Sequence, residues 1–330
     1  MFVLDIDLGF TIESGLQQGI IWGILVIGVY ISFRILDFAD LSIEGTFPLG
    51  ACISALLIFK GWNPFQAIYM SLLVGLLAGL LTGILHTKLK IPAILSGIIT
   101  MTALSSLNLV ILGLSLADRS NGSNALASLP IDNDIFTVVF KQTSGLFEKM
   151  GIAQKDAITI VTIGVSAIFL ALVAFGVYWL FGTEIGMNLR ATGNNPKMAR
   201  AQGINTDVMI ILGLMLSNGL IALSGALFAQ SYGTAQTESG RGAIVIGLAA
   251  IILGEIIFGR KRSFKVSLIS IIVGSIIFFF IKALAIELKV EHYLNLIIAI
   301  MIAFILALPL LKGKIKFKRK TKEGTSNARD

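Results

Sequence analysis

The sequence is poor in most of what a soluble enzyme works with. It has one cysteine, Cys52, set in an apolar segment, which excludes an intrachain disulfide and a cysteine-based zinc site and leaves the thiol a small packing residue. Its two histidines, His86 and His292, stand alone near predicted helix ends. Metal binding and histidine catalysis therefore have no second ligand or partner to work with. No G-x-x-x-x-G-K-[ST] loop occurs, so if ATP drives this chain, another chain must bind it. No paired carboxylates and no nucleophile–base arrangement fall within the apolar stretches, so we name no catalytic residue, no metal ligand and no cofactor for this chain. The first fifteen residues hold Asp5, Asp7 and Glu13 but no lysine or arginine. The basic flank of a secretory signal is missing there, and the first helix is expected to stay in the mature protein.

Charge is scarce as well, at 14% of 330 residues, while 55% are hydrophobic and the mean hydropathy is +0.88. A water-soluble core cannot hide that much apolar surface. Apolar runs of roughly 18 or more residues recur along the chain, and in hydrocarbon a helix satisfies its own backbone over such a span. The fold class is all-α and polytopic, in a single transmembrane domain over 1–330. Nine membrane helices are predicted, at about Leu16–Phe33, Phe47–Phe59, Phe65–Leu85, Ile91–Leu116, Ala157–Phe181, Val208–Ala229, Ala243–Phe258, Val266–Ala285 and Tyr293–Leu311.

The net charge of +7 suggests nucleic acid until it is located. The tail 312–330 carries eight basic and two acidic residues, and such a cluster after a membrane helix is a cytoplasmic retention signal and an anchor for anionic lipid. We assign no nucleic-acid partner. Lys88 and Lys90, then Arg190, Lys197 and Arg200, then Arg260-Lys261-Arg262, mark the other cytoplasmic stretches, which puts the N-terminus outside and the C-terminus inside. The stretch 117–156 is then the one long external loop. It starts on a flexible Asn121-Gly122-Ser123-Asn124 run and includes an amphipathic piece, Phe136–Met150, suited to the membrane face.

Two predicted helices, the second and the seventh, are short, and each follows a polar break. The first break runs from Asp37 through Asp40, Ser42 and Glu44 to Thr46; the second spans Thr237, Glu238, Ser239, Gly240, Arg241 and Gly242. By helix count they open toward opposite sides, as in an inverted repeat, and broken helices in paired halves often flank a transport route. Ordinary loops between spans are the other reading. Glu255, five residues before Arg260, reads as an interfacial residue paired with Arg260 or Arg262, and Glu287 as interfacial too.

The segment 183–206 is polar, basic and tightly punctuated. Gly193 can take the left-handed conformation that ends a helix, Asn195 is a good N-cap, Pro196 suits a first helical position, and Gly203 can end the next turn. This predicts a short helix, Pro196 to Gln202, with small residues at Ala199 and Ala201, an apolar knob at Met198 and cations at Lys197 and Arg200. A generic loop has no need of such caps.

The spacing of Gly186, Arg190, Ala191, Gly193, Asn195, Ala199, Gly203 and Ile204 resembles the coupling segment of ABC importer permeases of the branched-chain amino acid and ribose type. The stretch Ile31 to Gly45 is similar to the first-half signature of these permeases, and its wording is closest to a subgroup that works with tryptophan- or tyrosine-binding lipoproteins. The resemblance covers nearly the whole chain. It implies a bacterial cell-membrane assembly of two permease subunits, here identical, two cytoplasmic ATPases that carry ATP and magnesium, and an extracellular binding lipoprotein. Gly186, Arg190, Ala191, Gly193, Asn195, Pro196, Met198, Ala199, Arg200 and Gly203 would serve ATPase coupling, and Asp37, Asp40, Ser42, Glu44, Glu238 and Arg241 would border the route. The solute would be small, an amino acid and aromatic in that subgroup. An N-terminal span found in ribose-type members is missing here. An ion-coupled secondary transporter is the alternative, but it calls for ionisable residues deep in several helices, and the predicted helix centres are nearly free of them.

The charge pattern generates a direct test of orientation. With Cys52 replaced, a Ser14→Cys protein should react with an impermeant thiol reagent in intact cells and a Ser326→Cys protein only after permeabilisation. The reverse pattern would overturn the helix count.

Overall fold

A computed structural model describes residues 8–116, 126–128, 134–149, 153–259 and 263–288, with the isolated positions 296 and 300. The chain begins with α1 (Leu8–Tyr30), which widens into a π-helical turn at Ile31–Ile35, followed by α2 (Ile43–Phe59), α3 (Pro64–Thr87) and α4 (Ala93–Leu116). A short strand, β1 (Leu126–Ser128), and α5 (Ile135–Lys149) lead to α6 (Gln154–Leu180), α7 (Glu184–Asn194) and α8 (Pro196–Ala201). The second half holds α9 (Thr206–Tyr232), β2 (Thr234–Gln236), a 3-10 turn at Thr237–Gly240, α10 (Ala243–Phe258) and α11 (Phe264–Glu287).

Among the described residues, seven helices are long and apolar enough to cross a membrane, and Ile43–Phe59 is a shorter apolar helix. The protein is thus an all-α, multi-pass membrane bundle. These eight correspond to the first eight predicted helices; the ninth, Tyr293–Leu311, the basic tail, the Arg260–Arg262 run and the Asn121–Asn124 run lie outside the described residues. The second helix begins four residues earlier than its apolar run, because the backbone amides of Gly45 and Thr46 both reach the Ser42 carbonyl and close a first turn of polar residues. The amphipathic segment forms the helix α5, tied to α9 where the Ile135 amide donates to Gln230 Oε1 at 2.9 Å. The antiparallel pairing of β1 with β2, Ala127 opposite Ala235, has no signal in the residue pattern.

The centre of the bundle is α9, packed against α1, α2 and α3. Apolar attraction between helices is weak in lipid, so close approach and interhelical hydrogen bonds must hold them together. On the α2 side, a Cβ at Gly50 would stand 1.9 Å from the Ala222 carbonyl oxygen, and one at Gly225 would stand 2.0 Å from that of Phe47. Toward α1, Ser217 donates to the Gly28 carbonyl and Ser224 to that of Ile21, each at 2.8 Å. Ser275 of α11 does the same to Gly19. Trp22 fills the space between these helices, with ring contacts to Phe47, Phe228 and Phe279.

Gly50→Ala should push α2 off α9 and destabilise the bundle by about 3 kcal/mol, read as a loss of monodisperse protein and a lower thermal midpoint. Gly164→Ala, on α6 where a Cβ meets nothing within 4 Å, should leave both unchanged. Equal behaviour of the two variants would contradict the packing described.

Candidate translocation site and coupling segment

The two polar breaks leave opposite ends of the bundle. The first starts at the π-turn that ends α1, beside α7, where Gly193 packs on the Ile35 carbonyl. The second starts past Tyr232, at the other end of α9 from Thr206. They meet inside: the Glu44 carboxylate accepts the Gly242 amide at 3.1 Å and so caps the first turn of α10. Gly240 lies directly on the Glu44 carbonyl, since a Cβ there would come within 2.1 Å of that oxygen and 2.6 Å of Pro48 Cδ. Pro48 explains why this carbonyl is open to approach, because proline has no amide to donate to the residue four positions earlier. Both short helices thus begin within the bundle with their N-termini close together.

The first break is held by a buried polar cluster. Asp40 is 0% exposed; its Oδ1 accepts the Ser42 amide at 2.9 Å and the Ser42 hydroxyl at 2.6 Å, and its Oδ2 accepts Asn218 Nδ2 at 2.7 Å. Asn218 Oδ1 in turn accepts the Thr46 hydroxyl at 2.7 Å. Asn218 stands near the middle of the 27-residue α9. Every member of the cluster is buried, and each carboxylate and amide oxygen named has a donor, which is the condition for keeping such groups out of water.

Of the residues expected on the route, Asp40 and Ser42 belong to this cluster. Glu44 is half-buried at the junction, and Glu238 and Arg241 are exposed and paired with each other across one turn. Asp37 is exposed in a left-handed conformation, φ 52, at the end nearer α7. Thr46 closes the first break but was not among the expected route residues, and Asn218 was missed altogether; an amide inside the stretch Leu216–Ser224 was the available signal. Glu255 accepts Arg34 of the π-turn at 2.6 Å, linking α10 to α1. The expected partners Arg260 and Arg262 lie outside the described residues.

In the coupling segment the short helix runs Pro196–Ala201, with the Asn195 side chain accepting the Met198 amide at 3.1 Å. Gly203 takes φ +84 just past its end. Gly193 does not terminate α7 in a left-handed conformation, since α7 continues to Asn194. Its missing side chain serves packing instead, for a Cβ would fall 1.8 Å from the Ile35 oxygen. Gly186 likewise lets α7 close on Leu180 and Phe181, and Arg190 donates to the Phe181 carbonyl and covers the Phe264 ring at 5.4 Å. Ala191 is half-buried. Met198 is 57% exposed while Ala199 is 2% exposed, so the two face opposite ways. Arg200 is taken up by Asp207 at 3.0 Å, and Lys90 of the α3–α4 turn reaches the same carboxylate at 3.5 Å. Among the described residues, no group of three His, Cys, Asp or Glu side chains is placed to hold a metal ion.

Comparisons with known proteins agree with this architecture. The family model described as branched-chain amino acid transport system / permease component matches residues 11–306. The tyrosine transport system permease protein of Clostridioides difficile (strain R20291) is 37% identical over 92% of this chain and 93% of its own length. An uncharacterized protein of Rickettsia prowazekii is 29% identical over 74% of this chain and 77% of its own. The autoinducer 2 import system permease protein LsrC of Salmonella typhimurium is 36% identical, but over only 29% of this chain and 28% of its own. No solved structure matches. The family match over residues 11–306 and the relative matched over 92% of this chain place it: the chain belongs to the branched-chain amino acid transport system permease family, and is a non-catalytic membrane subunit of an ABC transport system that moves a small solute.

Proposed function

We propose that two copies of this chain, each with nine membrane helices in an inverted repeat, import an amino acid, with an aromatic one favoured by the relative's tyrosine transport name. An extracellular binding lipoprotein delivers the solute and two cytoplasmic ATPases supply the energy. The N-terminus lies outside and the basic tail in the cytoplasm. The observation that carries this reading is the meeting of the breaks at Glu44 and Gly242, which places two helix N-termini inside the bundle. Irregular backbone at that depth is tolerated only against protein or a water-filled route.

Within this reading the expected route residues divide. Asp40 and Ser42 hold the first break in shape, while Glu44, Glu238 and Arg241 face the solute, and Asp37 marks the inner end. Glu44 already takes the Gly242 amide, so Arg241 is the group available to a solute carboxylate, by exchanging with Glu238. The side chain of the solute passes apolar walls without a tight site, because strong binding in the passage would slow release.

The ATPase docks on α8 through Met198 and the exposed Ala201, with Asn195, Pro196 and Gly203 shaping the helix. Its closure reaches the route by contiguous contacts: α7 through Gly193 to Ile35 and Leu36, then the break, then Asn218 and α2.

Met198→Glu and Ala201→Glu should each reduce copurification of the ATPase subunit and ATP-driven uptake by on the order of tenfold or more, since each would bury an unpaired charge at the contact. The permease should remain monodisperse. Unchanged assembly and uptake in both variants would remove α8 as the docking site.

A further inference from the structure

The last turn of α6, the helix α7 and the first residue of α11 border a cavity of about 350 Å³, lined by Tyr178, Trp179, Thr183, Arg190 and Phe264 among others. Arg190, expected to serve ATPase coupling, lines this cavity. Its guanidinium lies against the rings of Phe181 and Phe264, 6.0 and 5.4 Å from their centroids, and gives one N–H to the Phe181 carbonyl. A guanidinium has five N–H donors in a planar fork, so most of them remain for a ligand. Among the described residues, Arg34, Arg200 and Arg241 each pair with a carboxylate, whereas Arg190 pairs with none. No acidic side chain lines the cavity either. A planar cation backed by apolar rings and lacking an anion of its own is suited to grip a phosphate with two donors at once.

The surroundings indicate which phosphate reaches it. Ile168, Leu172, Phe175 and Trp179 follow one another at helical spacing on a single exposed stripe of α6, and Trp179, 65% exposed, stands at the cavity. Tyr178 is exposed beside it. An apolar face that ends on Tyr and Trp marks the level at which hydrocarbon gives way to headgroups. A molecule with acyl chains on the stripe and a phosphate at its end uses both features, while a soluble anion would use Arg190 alone. Lys265, exposed next to Phe264, adds a second cation, and such cations favour anionic lipid. The lining holds no carboxylate to receive the ammonium of a zwitterionic headgroup.

We propose that the cavity between α6, α7 and α11 binds one anionic phospholipid, its phosphate held by Arg190 and its acyl chains lying along Ile168, Leu172 and Phe175. The site is separate from the polar breaks and from α8. It bears on them through α7, because Arg190 stands within one turn of Gly193, the residue seated on the Ile35 carbonyl.

Trp179 serves as the probe. The purified full-length chain carrying Trp62→Phe is reconstituted in phosphatidylcholine vesicles containing either brominated phosphatidylglycerol or brominated phosphatidylcholine. Quenching of tryptophan fluorescence then reports the lipid beside Trp179, with the buried Trp22 as a constant background. The parent should favour phosphatidylglycerol by on the order of fivefold, and Arg190→Gln should bring the ratio to about one. Thr183→Glu, which sets a carboxylate in the cavity and leaves the Arg190–Phe181 contact in place, should do the same, and it carries the test if Arg190→Gln is not monodisperse. Lys88→Gln, which removes an exposed cation outside the cavity, should keep the preference. Equal quenching by the two lipids in the parent would overturn the proposal. So would a preference that survives Arg190→Gln and Thr183→Glu or falls equally in Lys88→Gln, either of which would assign it to the basic surface at large. A preference abolished by inorganic phosphate, but not by chloride at equal ionic strength, would make free phosphate the occupant and overturn the lipid assignment.

Discussion

The rest of the structure hangs on one buried interaction, the carboxylate of Asp40 held between Ser42 and the Asn218 amide. An ionised or polar group at this depth is costly unless its hydrogen bonds are complete. The first break must therefore reach α9 to be stable, and α9 must present an amide at its middle to receive it. Once that contact is made, Thr46 is bound to the other end of the same amide, and the start of α2 is fixed against α9 within a turn. Gly50 and Gly225 then allow the helices to close along their length.

The junction follows from this placement. With α2 starting deep, Pro48 leaves the Glu44 carbonyl open, Gly240 can lie on it, and the Glu44 carboxylate reaches the amide of Gly242, just ahead of α10. One helix running toward each end of the bundle thus starts from a shared point. The same geometry leaves the α1 end of the break against α7, where Gly193 and Ile35 touch. The α7–α8 segment is in this way two contacts from the site where the helices are interrupted, and the Arg34–Glu255 pair ties the far end of α10 to the same turn.

Much of this was legible in the residues. The apolar runs located eight of the helices, because a helix satisfies its own backbone along such a run and needs little help from tertiary contacts to be helical. The caps of α8 were readable because Asn195, Pro196 and Gly203 act on their own backbone. What could not be read depends on partners distant in sequence. Asn218 meets Asp40 across 178 positions and Glu44 meets Gly242 across 198, and neither end alone announces the other. Gly193 shows the limit in a single residue: a glycine at a helix end suggests a left-handed cap, but a close neighbour asks for the same residue, and here the neighbour, Ile35, decides. Glu255 meets Arg34 across 221 positions, a pairing that its own stretch of sequence does not announce.

If the Asp40–Asn218 contact organises the break, its two ends must act as a unit. The direct measurement is a double-mutant cycle, comparing the apparent thermal midpoints of the purified parent, Asp40→Ala, Asn218→Ala and the double variant in one detergent. Each single change should lower the midpoint, and the double variant should lose clearly less than the two losses combined, with a coupling of about 1–3 kcal/mol. Losses that simply add would mean that the two side chains stabilise the protein independently, and would contradict the account.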